Sequence, residues 1–542
     1  MRAAPELQRV YGPTTQSGAG LGAVSYFGDP YPAGTRHFDN VGQFFQNGLN
    51  QTHNLAFQGA APDNRVNYRV AGTLLRAQGV VPTGVYNRAN VTGASGGQVT
   101  RWLQADLSMN YATVENRQPF KGNIGPLIGL MLWPSTDDAT QWLTPAGTRR
   151  RVTTLTAAGE IDNPYFNLNK NRVDGTNTRL ISTLTLNATP FSWGRFQTIV
   201  SSDNINNQNQ IALHPESFAA GNTNGRLDEV DDVTRNLSAQ TTFRVNEREV
   251  AKHFTVSATV GNRIYDWRTD FDAMTGLDFL DPNFVSINNT NNAQRQSRTT
   301  LVRRRVASLF SEARLAYRDY LFLNVQGTND WTSTIPRGAN SFFYPATQLS
   351  FVFSDAIPGA KRLFSTGKLR AAVGDAGKDA QAYAYAAFLE SKPTTGGGYG
   401  YGFTGPNPNL RPEFTRSFEY GADLGFFNDR LTVNATYWRK QTRDQIVRDI
   451  RGSYGTGFVL FNLNGAVTRN SGYELTVNGT PVQRPGGFAW DVTANFDRTR
   501  GFTLRLPNAL PESYISDTWL FGNVRAGTSP GLSTRSLLGQ YY

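Results

Sequence analysis

The feature that most constrains this chain is a period-two alternation of apolar and polar residues, repeated many times along it. From Phe418, the residues Tyr420, Ala422, Leu424 and Phe426 share one face, opposite Glu419, Gly421, Asp423 and Gly425. After a tight turn at Asn428-Asp429, Leu431, Val433, Ala435 and Tyr437 oppose Thr432, Asn434 and Thr436. Successive strand side chains point to opposite sides, so this spacing is a β-hairpin with one apolar and one polar face. The pattern returns at 66–74, 103–111, 254–260 and 490–497. By itself it specifies antiparallel sheet and nothing more.

The order of the connections is more selective. Short links fall near 60–64, 96–101, 190–194, 246–251, 317–319, 427–430 and 482–487. Long links fall between them, near 77–87, 114–177, 205–232, 268–299, 333–344, 377–413 and 446–464, with a middling one near 356–366. In an up-and-down sheet this places tight turns at one end and long loops at the other, as in outer-membrane barrels. Greek-key sandwiches switch sheets irregularly and lack that asymmetry. The reading yields about 16 strands, too many for one sandwich and suited to part of a large barrel.

Composition agrees where it bears on the question. No run approaches the roughly 18 apolar residues of a membrane helix. A closed barrel is the other way to pair every backbone group in hydrocarbon. Aromatic residues make up 12% of the chain while mean hydropathy is only −0.43, as expected when alternate residues face lipid. Tyr111, Tyr317, Tyr437 and Trp490 fit interfacial girdles. The net charge of +11 is scattered, Arg303-Arg304-Arg305 being the longest basic run. That distribution suits anionic headgroups better than nucleic acid, and no nucleic-acid partner is expected. Cysteine is absent, which fits an oxidising envelope compartment.

Motifs of soluble enzymes are present only in form. Gly93-Ala94-Ser95-Gly96-Gly97 matches the nucleophile elbow, but that elbow needs a strand, a strained turn and a helix; a turn before Trp102 is expected instead. Gly400-Tyr401-Gly402-Phe403-Thr404-Gly405 matches a dinucleotide-binding loop, yet Pro406 follows where a helix should begin. It reads as a flexible external loop in which Tyr399, Tyr401 and Phe403 are the candidate ligand-contacting residues. The four histidines form no metal-binding pair, and Asp228, Glu229, Asp231 and Asp232 read as a solvated acidic loop end. No catalytic, cofactor-binding or metal-binding residue is assigned.

One segment then carries a resemblance. Asn407-Pro408-Asn409-Leu410-Arg411-Pro412-Glu413-Phe414-Thr415, followed by Glu419-Tyr420-Gly421 and Asn428-Asp429-Arg430-Leu431, resembles a signature of TonB-dependent outer-membrane receptors. Thr442-Arg443-Asp444-Gln445-Ile446 and Ser471-Gly472-Tyr473-Glu474-Leu475 are similar to the strands that follow it. Pro408, Leu410, Pro412, Glu413, Glu419, Gly421, Arg430, Gly472 and Glu474 are the structural signature positions. Asp39-Asn40 with Phe44-Phe45, then Asn163-Pro164-Tyr165, and Asn329-Asp330-Trp331 leading to Tyr344-Pro345 resemble the SusC/RagA subgroup; Ala346 stands where that subgroup usually has Ser.

The resemblance implies an all-β fold, a large up-and-down antiparallel transmembrane β-barrel in the bacterial outer membrane, of which residues 1–542 supply about 16 of roughly 22 strands. Missing parts would be the TonB box, the plug domain and the closing C-terminal strands. It implies import of a glycan, oligosaccharide or peptide, with outer-membrane lipids, a SusD-like surface lipoprotein and the TonB complex as partners, no cofactor and no enzymatic activity. The residues alone also allow a non-transporting surface adhesin or carbohydrate-binding β-protein.

Overall fold

The computed structural model describes residues 11–13, 27–63, 65–122, 124–151, 161–392, 398–451, 455, 457–484, 486–507, 510, 513–514 and 524–539. Sixteen strands join in one antiparallel sheet. They are β1 (Leu49–Ala60), β2 (Val66–Gln78), β3 (Val85–Thr100), β4 (Leu103–Gln118), β5 (Arg172–Phe191), β6 (Gly194–Leu213), β7 (Arg226–Ala251) and β8 (Phe254–Leu277). The series continues with β9 (Gln296–Tyr317), β10 (Leu321–Thr332), β11 (Ser341–Val352), β12 (Thr366–Lys378), β13 (Glu413–Phe426), β14 (Leu431–Arg451), β15 (Leu460–Gln483) and β16 (Ala489–Arg505). Every strand pairs with its neighbours in sequence, so the topology is up-and-down throughout. The expected strand count and the short-and-long rhythm both hold.

The turns follow from local chemistry. Arg318 and Asp319 both take positive φ, 49° and 57°, the backbone twist that joins right-twisted strands in a tight hairpin. Residues 427–429 are also left-handed, with φ of 57°, 55° and 61°. Asn428 and Asp429 tolerate this region better than most residues. The middling link sits on the short-turn side as a helical turn, Phe353–Ala356, and a second one, Ala360–Arg362.

Some expected boundaries move. The link expected at 77–87 spans only 79–84, and the loop expected at 205–232 shrinks to 214–225, because β6 and β7 run on past the apolar region. Gly93–Gly97 lies inside β3 and not at a turn; the Ser95 hydroxyl donates to the Asn67 carbonyl at 3.1 Å. The acidic residues Asp228 to Asp232 belong to β7 and not to a loop. Asp228 is held by Arg226 at 2.7 Å and by the Thr275 hydroxyl at 2.7 Å. Ser513–Tyr514, Val524–Thr528 and Ser536–Gly539 form a separate three-stranded sheet. Residues 540–542 lie outside the described part, as do Pro393, Gly396 and Gly397.

Where the apolar side chains go decides what kind of sheet this is. In β8, Phe254, Val256, Ala258, Val260 and Ile264 share one face, register-matched in β9 by Tyr317, Leu315, Ala313, Ser311 and Ala307. That face is uncovered: Ile264 is 57% exposed and Val260 47%. Beyond Ile264 the same face turns charged, with Asp266, Arg268 and Asp270 opposite Arg305, Arg303 and Leu301. Ten residues separate Phe254 from Ile264, or about 25 Å at the strand rise and tilt usual for barrels. That equals the height of a lipid-facing band. Trp102, Phe191, Trp193, Phe254, Phe427, Phe488 and Trp490 ring its short-turn margin, all at least one-third exposed. Tyr317 and Trp490 lie on that margin as expected, whereas Tyr111 and Tyr437 lie farther along their strands, toward the other edge of the band.

Clustered dry packing lies at the other end. The three clusters of buried apolar residues among the described residues are Val41, Phe44, Leu130 and Leu168; Ala212, Leu227 and Phe279; and Ile335, Ala380 and Leu410. All three sit where the long loops meet the strand ends. A soluble sandwich would instead bury its apolar strand faces against a second sheet.

Candidate functional site: a polar lumen beneath a pinned loop cap

Residues on the opposite face of the strands line the inside of the wall, and they are polar. On β5 and β6, Arg179 binds Asp203 through two bonds of 2.7 and 2.8 Å, Thr183 meets Ser201 at 3.0 Å, and Asn177 bonds to Asn207. On β12 to β14, Arg370 donates to Asn434 at 3.0 Å and Thr436 at 2.8 Å, and Asn434 donates to Asp423 at 2.7 Å. These side chains pair with one another yet stay partly open to water, so the lining is a wet, rigid lattice of amides, hydroxyls and ion pairs.

The signature residues build this wall and its rim. Gly421 faces Arg370; a Cβ there would lie 2.6 Å from the Arg370 Nε. Gly472 likewise lets the Trp438 ring lie across the next strand, where its Nε1–H donates to Glu474 at 2.9 Å. A Cβ at Gly472 would also meet the Arg498 carbonyl at 2.8 Å, so close approach requires this glycine, whereas at Gly421 the Arg370 side chain would have to move. Glu419 sits in register opposite Trp438. Arg430, at the 427–430 turn, donates to the carbonyls of Thr480 and Pro481 at 3.1 and 2.8 Å, tying the hairpin to β15.

The Asn407–Glu413 segment closes the mouth end of the wall. Leu410 is fully buried against Ile335 and Ala380. Pro412 is buried and Pro408 exposed. Asn407 donates to the Asn462 carbonyl at 2.7 Å, and Arg411 exchanges two 2.8 Å bonds with the Asn464 side chain. Glu413 is buried, accepts from the Ile446 amide at 2.9 Å and faces Lys378 at 3.6 Å.

Two polar anchors pin the loop cap, and neither was singled out from the sequence. Arg304 grips Asp379 through both oxygens at 2.8 and 2.9 Å, while the Thr332 and Thr334 hydroxyls donate to Oδ2 at 2.6 and 2.9 Å. Burial raises the Asp379 carboxyl, but the bonds from Arg304, Thr332 and Thr334 outweigh it and the net shift is downward. The anchor is thus charged at neutral pH and holds 333–340 to the base of 379–412. The basic run was a pointer read too coarsely: alternation sends Arg303 and Arg305 outward to Asp266 and Arg304 inward to Asp379.

The second anchor is Arg149 with Asp162, 2.5 Å apart. Asp162 also accepts from the Ser217 hydroxyl at 2.5 Å and the Phe218 amide at 2.8 Å, joining the entry to helix Pro164–Lys170 to loop 214–225. Nearby, Asn163 caps helix Pro164–Lys170, and Asn40 bridges to the Pro134 and Asp137 carbonyls and the Ala139 amide. His214 packs edge-on to Phe166. Burial, aided by Lys170, lowers its pKa and keeps the ring neutral.

Of the candidate ligand residues, Tyr399 lies in strand Gly398–Tyr401, which pairs with Leu389–Lys392 as a hairpin of the cap; its side chain lies outside the described part. Tyr401 is exposed and meets Phe458 edge-on, with centroids 5.5 Å apart. Phe403 is exposed, and its carbonyl accepts from the Val459 and Leu460 amides at 3.0 and 2.9 Å. The two aromatic residues are therefore presented at the mouth by contacts with Phe458, Val459 and Leu460.

Residues 132–535 match the family described as TonB dependent receptor-like, beta-barrel. The chain belongs to that family. Proteins of that family lie in the outer membrane, and the family comprises transporters, not enzymes. TonB-dependent receptor P39 of Formosa agariphila is 24% identical over 317 residues, 56% of this receptor and 29% of that one. The solved RagAB peptide transporter superposes with a TM-score of 0.75 at 16% identity, covering 91% of this receptor and 54% of that chain. The outer membrane transporter YddB from Escherichia coli gives 0.52 at 11% identity, covering 84% and 55%. The receptor chain thus spans about half the length of these solved neighbours and under a third of the curated relative.

Proposed function

We propose that this chain forms most of the wall of an importer that takes up a nutrient, a glycan, oligosaccharide or peptide, across the outer membrane with energy delivered through TonB. The observation that carries the reading is the division of one sheet into an exposed apolar face and a hydrogen-bonded polar face, capped by pinned loops at the long-loop mouth. A lattice of Asn, Gln, Thr, Ser and Arg offers donors and acceptors that match hydroxyl- or amide-rich cargo, and Tyr401 and Phe403 offer ring faces at the mouth. The fold likeness to a peptide transporter supports the same reading. A SusD-like surface lipoprotein over the cap and the TonB complex below are the partners of this proposal.

The wall itself asks for more strands. Among the described residues β1 and β16 are the sheet's edges, and nearly all of their residues are exposed. An open edge in hydrocarbon leaves backbone groups unpaired. We therefore include further strands that close the barrel at about 22 in all, and a plug that fills its lumen.

The test is uptake. Deleting the gene and supplying labelled oligosaccharides or peptides as sole carbon or nitrogen source should abolish uptake of one class, with recovery on complementation. Normal uptake and growth on both classes would overturn the proposal.

A further inference from the structure

The outer face of β12 to β16 carries more than a uniform lipid-facing surface. Strand register builds it in rows. Tyr420, Tyr437 and Tyr473 stand side by side, and the Tyr437 and Tyr473 rings lie 5.0 Å apart. One step toward the short turns, Leu369, Ala422, Ala435 and Leu475 follow in register. Three small residues, Ala371, Ala422 and Ala435, leave a depression between larger neighbours, a groove of about 890 Å³ with an almost wholly apolar lining.

On the long-loop side of the tyrosines the same face turns basic. Arg439 lies in register with Phe418 and Ser471, Arg416 with Asp375 and Gln441, and Arg443 with Phe414. Arg469 and Arg500 continue the patch on β15 and β16. Asp375 is the one carboxylate within these rows, and Arg416 occupies it at 2.7 Å. Arg443 lies over the Phe414 ring, 5.4 Å from its centroid. Arg439, Arg443, Arg469 and Arg500 form no ion pair with a described residue.

An arginine cluster two to six residues above a groove spans roughly 7–20 Å along the strands. This is the spacing of a phosphate headgroup from the upper part of its acyl chains. We infer that this outer wall is a binding site for a phosphorylated lipid of the external leaflet, its phosphate held by Arg439, Arg443 and Arg469 and one acyl chain laid in the alanine-floored groove. The inference rests on the outer-membrane placement of the sheet and not on the cargo. A lipid, and not a free phosphate, is the occupant because the charge and the groove are contiguous. Planar guanidinium groups suit the bidentate recognition of phosphate oxygens.

The full-length protein in detergent micelles would be titrated with dioleoyl phosphatidic acid, with dioleoyl phosphatidylcholine and with inorganic phosphate, and adducts counted by native mass spectrometry. Phosphatidic acid should bind on the order of a hundredfold tighter than phosphatidylcholine, given three arginines at the membrane surface. Arg439→Gln/Arg443→Gln/Arg469→Gln should erase that preference. Ala435→Trp, which fills the groove and spares the arginines, should weaken both lipids, and it serves if the triple variant does not fold. Equal binding of the two lipids, an undiminished preference in the triple variant, or displacement by inorganic phosphate with Ala435→Trp without effect would each overturn the inference. The three arginines face away from the lumen, so nutrient uptake by the triple variant separates this failure from failure of the import proposal.

Discussion

Asp162→Ala should release the loop cap and leave the sheet folded. Arg149 and Asp162 are 3% and 2% exposed, and their 2.5 Å contact is the ion pair buried deepest in the described structure. Removing the carboxylate breaks an ion pair in a dry site, which typically costs about 3–5 kcal/mol. The Ser217 hydroxyl and the Phe218 amide lose their acceptor in the same step. The sheet, held by its own continuous ladders, does not share these bonds, so the damage stays local. Hydrogen exchange should speed up in 161–171 and 214–221 by roughly a hundredfold or more, with amides of β5 to β8 unchanged. Trypsin should then cut near Arg149 to Arg151 without dissolving the barrel. Unchanged protection in both segments would show that the anchor is dispensable.

The second large effect tests which face meets lipid. Val260 lies near the middle of the ten-residue apolar band of β8 and is 47% exposed. Its neighbour Thr259 points the other way. Val260→Arg should lower unfolding stability in lipid vesicles by about 2–4 kcal/mol, the midplane cost on a barrel exterior, and Ile264→Arg at the margin by about 1 kcal/mol or less. Thr259→Arg should be nearly neutral because its side chain enters the wet lumen. In a water-soluble sheet a half-exposed valine would change stability by only about 0.5 kcal/mol. Urea titrations of the three variants in vesicles decide between the two patterns.

The wall was legible because lipid and lumen impose opposite demands on alternate residues. Phe418 to Tyr437 announces its own hairpin, turn and facing. That legibility ends where the membrane ends. Residues 205–210, Ile-Asn-Asn-Gln-Asn-Gln, read as loop, yet they form the outer part of β6. Both faces of that extension are wet, so no apolar period is demanded, while the ladder to β5 and β7 still pairs the backbone. The cap was hidden for a different reason. Arg149, Asp162 and Ser217 meet across long separations, and Arg304 reaches Asp379 across 75 positions; such contacts leave no local period. The signature glycines show the converse case. Gly421 and Gly472 were recognised by pattern, and only the side chains lying over them, Arg370 and Trp438, supply the cause.

The absence of cysteine from the sequence makes one measurement the most direct test of the wall. Single cysteines placed in turn from 432 to 438 on β14, in the protein inserted in lipid vesicles, would be treated with a charged, water-soluble thiol reagent and with a lipid-dissolved one. The account predicts that positions 432, 434, 436 and 438 react with the water-soluble reagent and 433, 435 and 437 with the lipid-dissolved one. Reactivity with the same reagent at all seven positions, or the two sets exchanged, would contradict a barrel wall with lipid on one side and water on the other.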